Sequence, residues 1–83
     1  MKRKYILDVE PLADHVLKVD FVSGSSMLLD MKPYLDKVRF KKLMDDDVWE
    51  SVSTNGIFVR FGDVEISHDE ILAMAEQEHE SVN

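Results

Sequence analysis

Asn55-Gly56-Ile57-Phe58-Val59-Arg60-Phe61-Gly62-Asp63-Val64-Glu65-Ile66-Ser67-His68-Asp69-Glu70-Ile71-Leu72-Ala73-Met74-Ala75 is the stretch on which the reading of the fold turns. Asn55-Gly56 offers the positive φ angles of a type I′ turn, which predicts a hairpin with residues 57–61 as its return strand. Gly62-Asp63 is a second turn, and Val64-Glu65-Ile66 a short last strand. Ser67 and Glu70 then have the spacing of a capping box, with Ile66 and Ile71 as the matching hydrophobic staple. Asp69 and Glu70 suit the positive end of the helix dipole. Ile71, Leu72, Met74 and Ala75 supply the helix's apolar face. A hairpin running into a capped helix places the chain in the α+β class.

The upstream half extends this pattern. Tyr5, Leu7 and Val9 alternate with Ile6, Asp8 and Glu10, a strand stopped by Pro11. Residues 16–21 form the next strand, with Leu17, Val19 and Phe21 on one face. Ser23-Gly24-Ser25 turns the chain, and Met27-Leu28-Leu29 returns as the third strand of an antiparallel hairpin. Pro33 opens a short helix or 3₁₀ turn over residues 33–36. Residues 40–44 form a second helical piece. Phe40, Leu43 and Met44, at i, i+3 and i+4, share its buried face, and Asp45-Asp46-Asp47 ends it. Residues 48–53 are assigned to a strand because Asn55-Gly56 follows, although Asp47 and Glu50 also have the spacing of a helix cap. The expected architecture is a small antiparallel β-sheet built from hairpins, with short connecting helices and a C-terminal helix. It forms a single domain over residues 1–83, with residues 77–83 a frayed tail, because Glu76-Gln77-Glu78-His79-Glu80 is polar all round.

With 83 residues, 45 % of them hydrophobic, the chain fits one domain. It has no cysteine, which excludes disulfides and cysteine zinc sites and favours the cytoplasm. Asp8 stops the apolar run after the basic start, unlike a signal peptide, and no stretch approaches the length of a membrane span. The formal net charge of −7 is unevenly distributed. Residues 1–60 hold ten acids and ten bases, while residues 61–83 hold Asp63, Glu65, Asp69, Glu70, Glu76, Glu78 and Glu80 with no Lys or Arg. An anionic end argues against direct nucleic-acid binding and for a basic partner. The bland alternative is a solvated helix face.

Catalytic chemistry leaves no trace in the sequence. His15, His68 and His79 are too far apart in the chain to suggest a shared metal, and each reads as an exposed polar residue. Asp45-Asp46-Asp47 lacks the alternating acids and the glycine of a calcium loop. Ser67-His68-Asp69 places triad residue types side by side, whereas a triad is assembled in space. No catalytic residue, metal site or cofactor is therefore expected. Lys37, Arg39, Lys41 and Lys42, with Lys32 nearby, form a basic cluster around Phe40. Without a stacking platform they read as a solvated face with Phe40 turned inward. Trp49, the only tryptophan, fits the core, and if partly exposed it would anchor a partner.

Val9-Glu10-Pro11, residues 17–21 with Ser23-Gly24, residues 29–35, Phe40 with Leu43 and Asp45, Trp49 with Val52, and Val59-Arg60-Phe61-Gly62 through Ile66 to Asp69 and Ile71-Leu72 occur in an order and spacing that resembles the bacterial family called domain of unknown function 2442. At Arg60-Phe61-Gly62 the chain departs from the Trp-Pro-x-Gly-like stretch common in relatives. The resemblance implies a small α+β fold and carries over no catalytic residue. It also implies a gene neighbourhood in which members lie beside a second short protein, similar to toxin–antitoxin pairs.

The expected function is a non-catalytic protein-interaction module, the antitoxin-like member of such a pair. Its basic partner would be encoded by an adjacent gene and held by Glu70, Glu76, Glu78 and Glu80, with Trp49 as an anchor and an edge strand as a further contact. The alternative is a small-molecule-binding domain with a pocket lined by Phe21, Trp49, Phe58 or Phe61. Homodimerisation is compatible with either.

Overall fold

A computed structural model describes residues 5–81, with side chains described as far as Glu76. Among these residues the strands form two three-stranded antiparallel sheets. The first joins β1 (Ile6–Pro11), β2 (Val16–Phe21) and β3 (Ser26–Asp30) in that order. Leu17 pairs with Leu29 and Val19 with Met27, so one face of the hairpin is apolar throughout and turns inward. The second joins β4 (Ser53–Thr54), β5 (Phe58–Phe61) and β6 (Val64–Ser67), with Val59 opposite Ile66 and Phe61 opposite Val64. The inward residues of both sheets belong to one continuous buried cluster, and the α+β class read from the sequence stands.

The sheets meet at Gly56. Its carbonyl accepts hydrogen bonds from the backbone N–H of Tyr5 (2.8 Å) and of Ile6 (2.9 Å), tying the start of β1 to the loop after β4. The expected type I′ turn does not form there. Thr54 pairs with Val59, leaving a four-residue loop. Asn55 keeps negative φ, and its Oδ1 accepts from the N–H of Ile57 (3.0 Å) and of Phe58 (2.9 Å). The side chain thus supplies the turn's hydrogen bonds, leaving the positive φ to Gly56, at +101°. Gly56→Ala is expected to cost about 1–3 kcal/mol, since a Cβ is strained at that φ. A lowered thermal midpoint by circular dichroism would show it.

The connection between the sheets is helical and tight. A 3₁₀ turn at Lys32–Tyr34 leads to a 3₁₀ segment at Val38–Met44. Phe40 and Leu43 are buried, but Met44 is 63 % exposed, contrary to the expected i, i+3, i+4 face. With three residues per turn, only i and i+3 stack, and i+4 swings out to solvent. The strand expected over residues 48–53 is also corrected. Asp46–Glu50 form a short helix, α1, leaving only Ser53–Thr54 as strand. Asp45 closes the 3₁₀ segment and caps α1, its carboxylate accepting from the Asp47 N–H at 2.9 Å. This capping side chain and the burial of Trp49 outweigh the β-propensity of Val48 and Val52.

The final helix, α2 (His68–Ser81), starts where the sequence places it. Ser67 Oγ accepts from the Glu70 N–H at 3.1 Å, and Ile66 and Ile71 are both buried. The reciprocal half of the capping box does not form, because the Glu70 carboxylate binds Arg39 instead. The helical backbone runs to Ser81, and the fraying expected from residue 77 falls on the last residues of the chain. The side chains concerned, like residues 82–83, lie outside the described residues.

Candidate partner-binding surface

Arg39, in the Val38–Met44 segment, reaches across to the start of α2. Its guanidinium donates to both oxygens of Glu70, to Oε1 at 3.0 Å, and also to the Glu65 carbonyl on β6. The same group lies 5.0 Å from the ring centre of the buried Phe40. The Glu70 hydrogen bonds raise the Arg39 pKa against the opposing effect of burial. Arg39 thus joins three elements and covers the outer edge of β6. Arg39→Ala is expected to lower stability by only about 0.5–1 kcal/mol, because the pair is partly solvated. Thermal melts should show the loss shrinking at high salt, with Arg39→Lys failing to restore it fully for want of a fork.

The other bases named from the sequence are also dispersed. Lys42 pairs with Asp63 at 3.4 Å. Lys32 pairs with Asp30 at 3.0 Å and donates to the Asp14 carbonyl. Lys37 and Lys41 are exposed. Phe40 turns inward as expected. Burial acts to raise the Asp30 pKa, but the N–H and ammonium of Lys32 outweigh it and hold the carboxyl below its usual range.

The residues expected to meet a partner differ in their surroundings. Glu70 is committed to Arg39, while Glu76 is exposed on α2. Glu78 and Glu80 have side chains outside the described residues. Trp49 is 5 % exposed and stacks on Phe61 at 5.2 Å between ring centres, while its Nε1–H donates to the Leu12 carbonyl at 3.2 Å. An anchoring role would require it to leave the core.

Two histidines expected to be exposed are instead packed. His15 Nε2–H donates to the Leu43 carbonyl at 2.8 Å, with the ring against Trp49. His68 stacks on Tyr5 at 4.4 Å with only 17 % of its side chain exposed. His79 lies outside the described side chains. Among the described residues no three metal-ligating side chains converge, and no helix is long and apolar enough to cross a membrane.

The four aromatic residues named as alternative walls of a ligand pocket lie in different places. Phe61 is fully buried. Trp49 edges a hollow beside His15 and Asp46, and Phe58 lies with Arg60 and Glu65 on the outer face of the second sheet. Only Phe21 lines a markedly apolar groove, of about 440 Å³, with Tyr5, Val22, His68 and Leu72. No local pattern announces this groove, because its walls come from Tyr5 just ahead of β1, from Phe21 at the end of β2 with the turn that follows, and from α2.

The β3 edge is the other notable surface. Met31 N–H donates to the His15 carbonyl and Phe21 N–H to the Ser25 carbonyl, at the two ends of the β2–β3 ladder. Antiparallel pairing alternates, so Leu17, Val19, Met27 and Leu29 use their backbone groups within the hairpin. The N–H and C=O of Ser26 and Leu28 therefore point away from β2.

A family model described as "Protein of unknown function (DUF2442)" matches residues 6–77. No curated protein and no solved structure matches the chain significantly.

Proposed function

The chain belongs to the DUF2442 family, and we propose that it is a non-catalytic protein-interaction module with a basic protein as its partner. The observation carrying this reading is the segregation of charge: from residue 61 onward there are seven acids and no Lys or Arg. Asp69 is fully exposed and Glu76 is exposed, so part of this charge faces solvent. Such a field steers a cationic partner and gives an association that weakens with salt. In its finer form the module is the cytoplasmic, antitoxin-like member of a bacterial pair, with its partner encoded next door. That form draws on the family resemblance and on the acidic charge. Glu76, Glu78 and Glu80 are the contacts this reading favours. Glu70 contributes only if Arg39 releases it.

Co-expression with the adjacent gene product tests the proposal. A complex is expected to survive purification at low salt and to dissociate as salt rises. Failure to form any complex at low salt sinks the reading.

A second reading, small-molecule binding, draws support from the groove between Tyr5, Phe21, Val22, His68 and Leu72, whose volume falls within the usual range for ligand pockets. Its rim is open to solvent, with Tyr5, Val22 and Leu72 each at least 40 % exposed. Fragment screening by nuclear magnetic resonance would support this reading if hits shifted the His68 and Leu72 signals.

A further inference from the structure

We propose that the open edge of β3 is a docking site for an extended, basic strand of a partner protein, which would add to the first sheet beside Ser26 and Leu28. This deepens the interaction-module reading and rests on it.

The edges of the two sheets are treated differently. β6 is covered by the Val38–Met44 segment, where Arg39 takes up the Glu65 carbonyl. The edges of β1 and β4 meet where the Gly56 carbonyl receives Tyr5 and Ile6. β3 ends its sheet, and Ser26 and Leu28 aim their N–H and C=O groups outward with no backbone partner among the described residues. Natural edge strands are usually protected by a Lys, a Pro or a bulge. Ser26-Met27-Leu28-Leu29-Asp30 has none of these, and its pairing with β2 is regular. Leu28, at mid-strand, is 61 % exposed.

The register specifies the chemistry of the occupant. On the outer face, Asp8 lies opposite Asp20, and Asp20 opposite Ser26. In the next row, Glu10 lies opposite Lys18, and Lys18 opposite Leu28. The first row places two acids side by side, a destabilising cross-strand arrangement that a cation relieves. A strand added beside β3 continues each row by one residue. The favoured occupant therefore carries Lys or Arg next to Ser26, where a long side chain reaches toward Asp20, and an aliphatic or β-branched residue next to Leu28. The backbone ladder supplies affinity, and these two positions supply selectivity. A second copy of the chain is the less favoured occupant, because it would bring another net charge of −7 to the interface.

The test uses the full chain, labelled with ¹⁵N, and two short synthetic peptides of alternating Lys, Thr and Val, or Glu, Thr and Val. The lysine peptide is expected to shift the Ser26 and Leu28 amides and slow their exchange with solvent. The glutamate peptide should bind at least about tenfold more weakly, a gap of roughly 1.4 kcal/mol. Leu28→Lys and Ser26→Lys should each weaken the lysine peptide by a similar factor, with circular dichroism unchanged because both positions are exposed. Equal binding of the two peptides, shifts confined to α2, or Leu28 amide protection in a dimer without peptide would each overturn the proposal. If Leu28→Lys still captures the adjacent gene product as well as the unmodified chain does, the β3 site fails while the interaction-module reading survives. If the unmodified chain captures nothing, that broader reading fails first.

Discussion

Trp49→Ala is expected to lower the free energy of unfolding by about 3–5 kcal/mol. The indole is 5 % exposed, stacks on Phe61 and is flanked by His15. Its removal opens a cavity at the junction of α1, β5 and the β1–β2 connection, and it leaves the Leu12 carbonyl without its donor. A domain of this size holds roughly 5–15 kcal/mol in all, so the variant should be only marginally folded. Urea unfolding followed by far-ultraviolet circular dichroism should show the midpoint falling by about 2 M for a slope near 2 kcal/mol/M. Trp49→Phe keeps an aromatic ring against Phe61 but loses the N–H, and should cost about 1–2 kcal/mol. An unchanged midpoint in Trp49→Ala would mean that the indole is dispensable to the core, and would return it to consideration as a partner anchor.

The second large effect is a contrast between neighbours. Leu43→Ala should cost about 2–5 kcal/mol, because the side chain is fully buried where the Val38–Met44 segment packs against the core. Met44→Ala should cost less than about 0.5 kcal/mol, because that side chain is 63 % exposed. Sequence spacing alone puts Phe40, Leu43 and Met44 on one helical face and predicts substantial losses at both positions. The two outcomes separate a 3₁₀ segment from an α-helix without another structure. Comparable losses at Leu43 and Met44 would refute the 3₁₀ geometry. His15 adds a check, since its Nε2–H donates to the Leu43 carbonyl and so holds the segment's backbone in place.

Where hydrogen-bond partners and packing lie within a few residues, the sequence is a good guide. The β2–β3 hairpin, the β5–β6 hairpin and the Ser67 cap follow from turn residues, period-two alternation and a side chain bonding to a nearby N–H. The errors occur where two local solutions compete. Asn55-Gly56 suits a type I′ turn, but a four-residue loop lets Asn55 bond to two N–H groups and presents the Gly56 carbonyl to β1. Residues 48–53 alternate in part, as a strand would, but the Asp45 cap and the burial of Trp49 make Asp46–Glu50 a helix. Glu70 has the spacing of a capping box, but an arginine 31 residues earlier in the chain takes its carboxylate.

The sequence by itself determined the α+β class, the places where most strands begin and end, the start of α2 and the acidic bias after residue 60. Each of these depends on neighbours in the chain or on composition, which do not require a fold to be read. Tertiary structure alone decided that Arg39 rather than solvent meets Glu70, and that Tyr5, Phe21, His68 and Leu72 share a groove. It also decided which strand edge has no backbone partner among the described residues. These depend on which distant segments come into contact, and that is settled by the joint burial of apolar faces from both sheets and α2, a cooperative property that no local window of sequence contains.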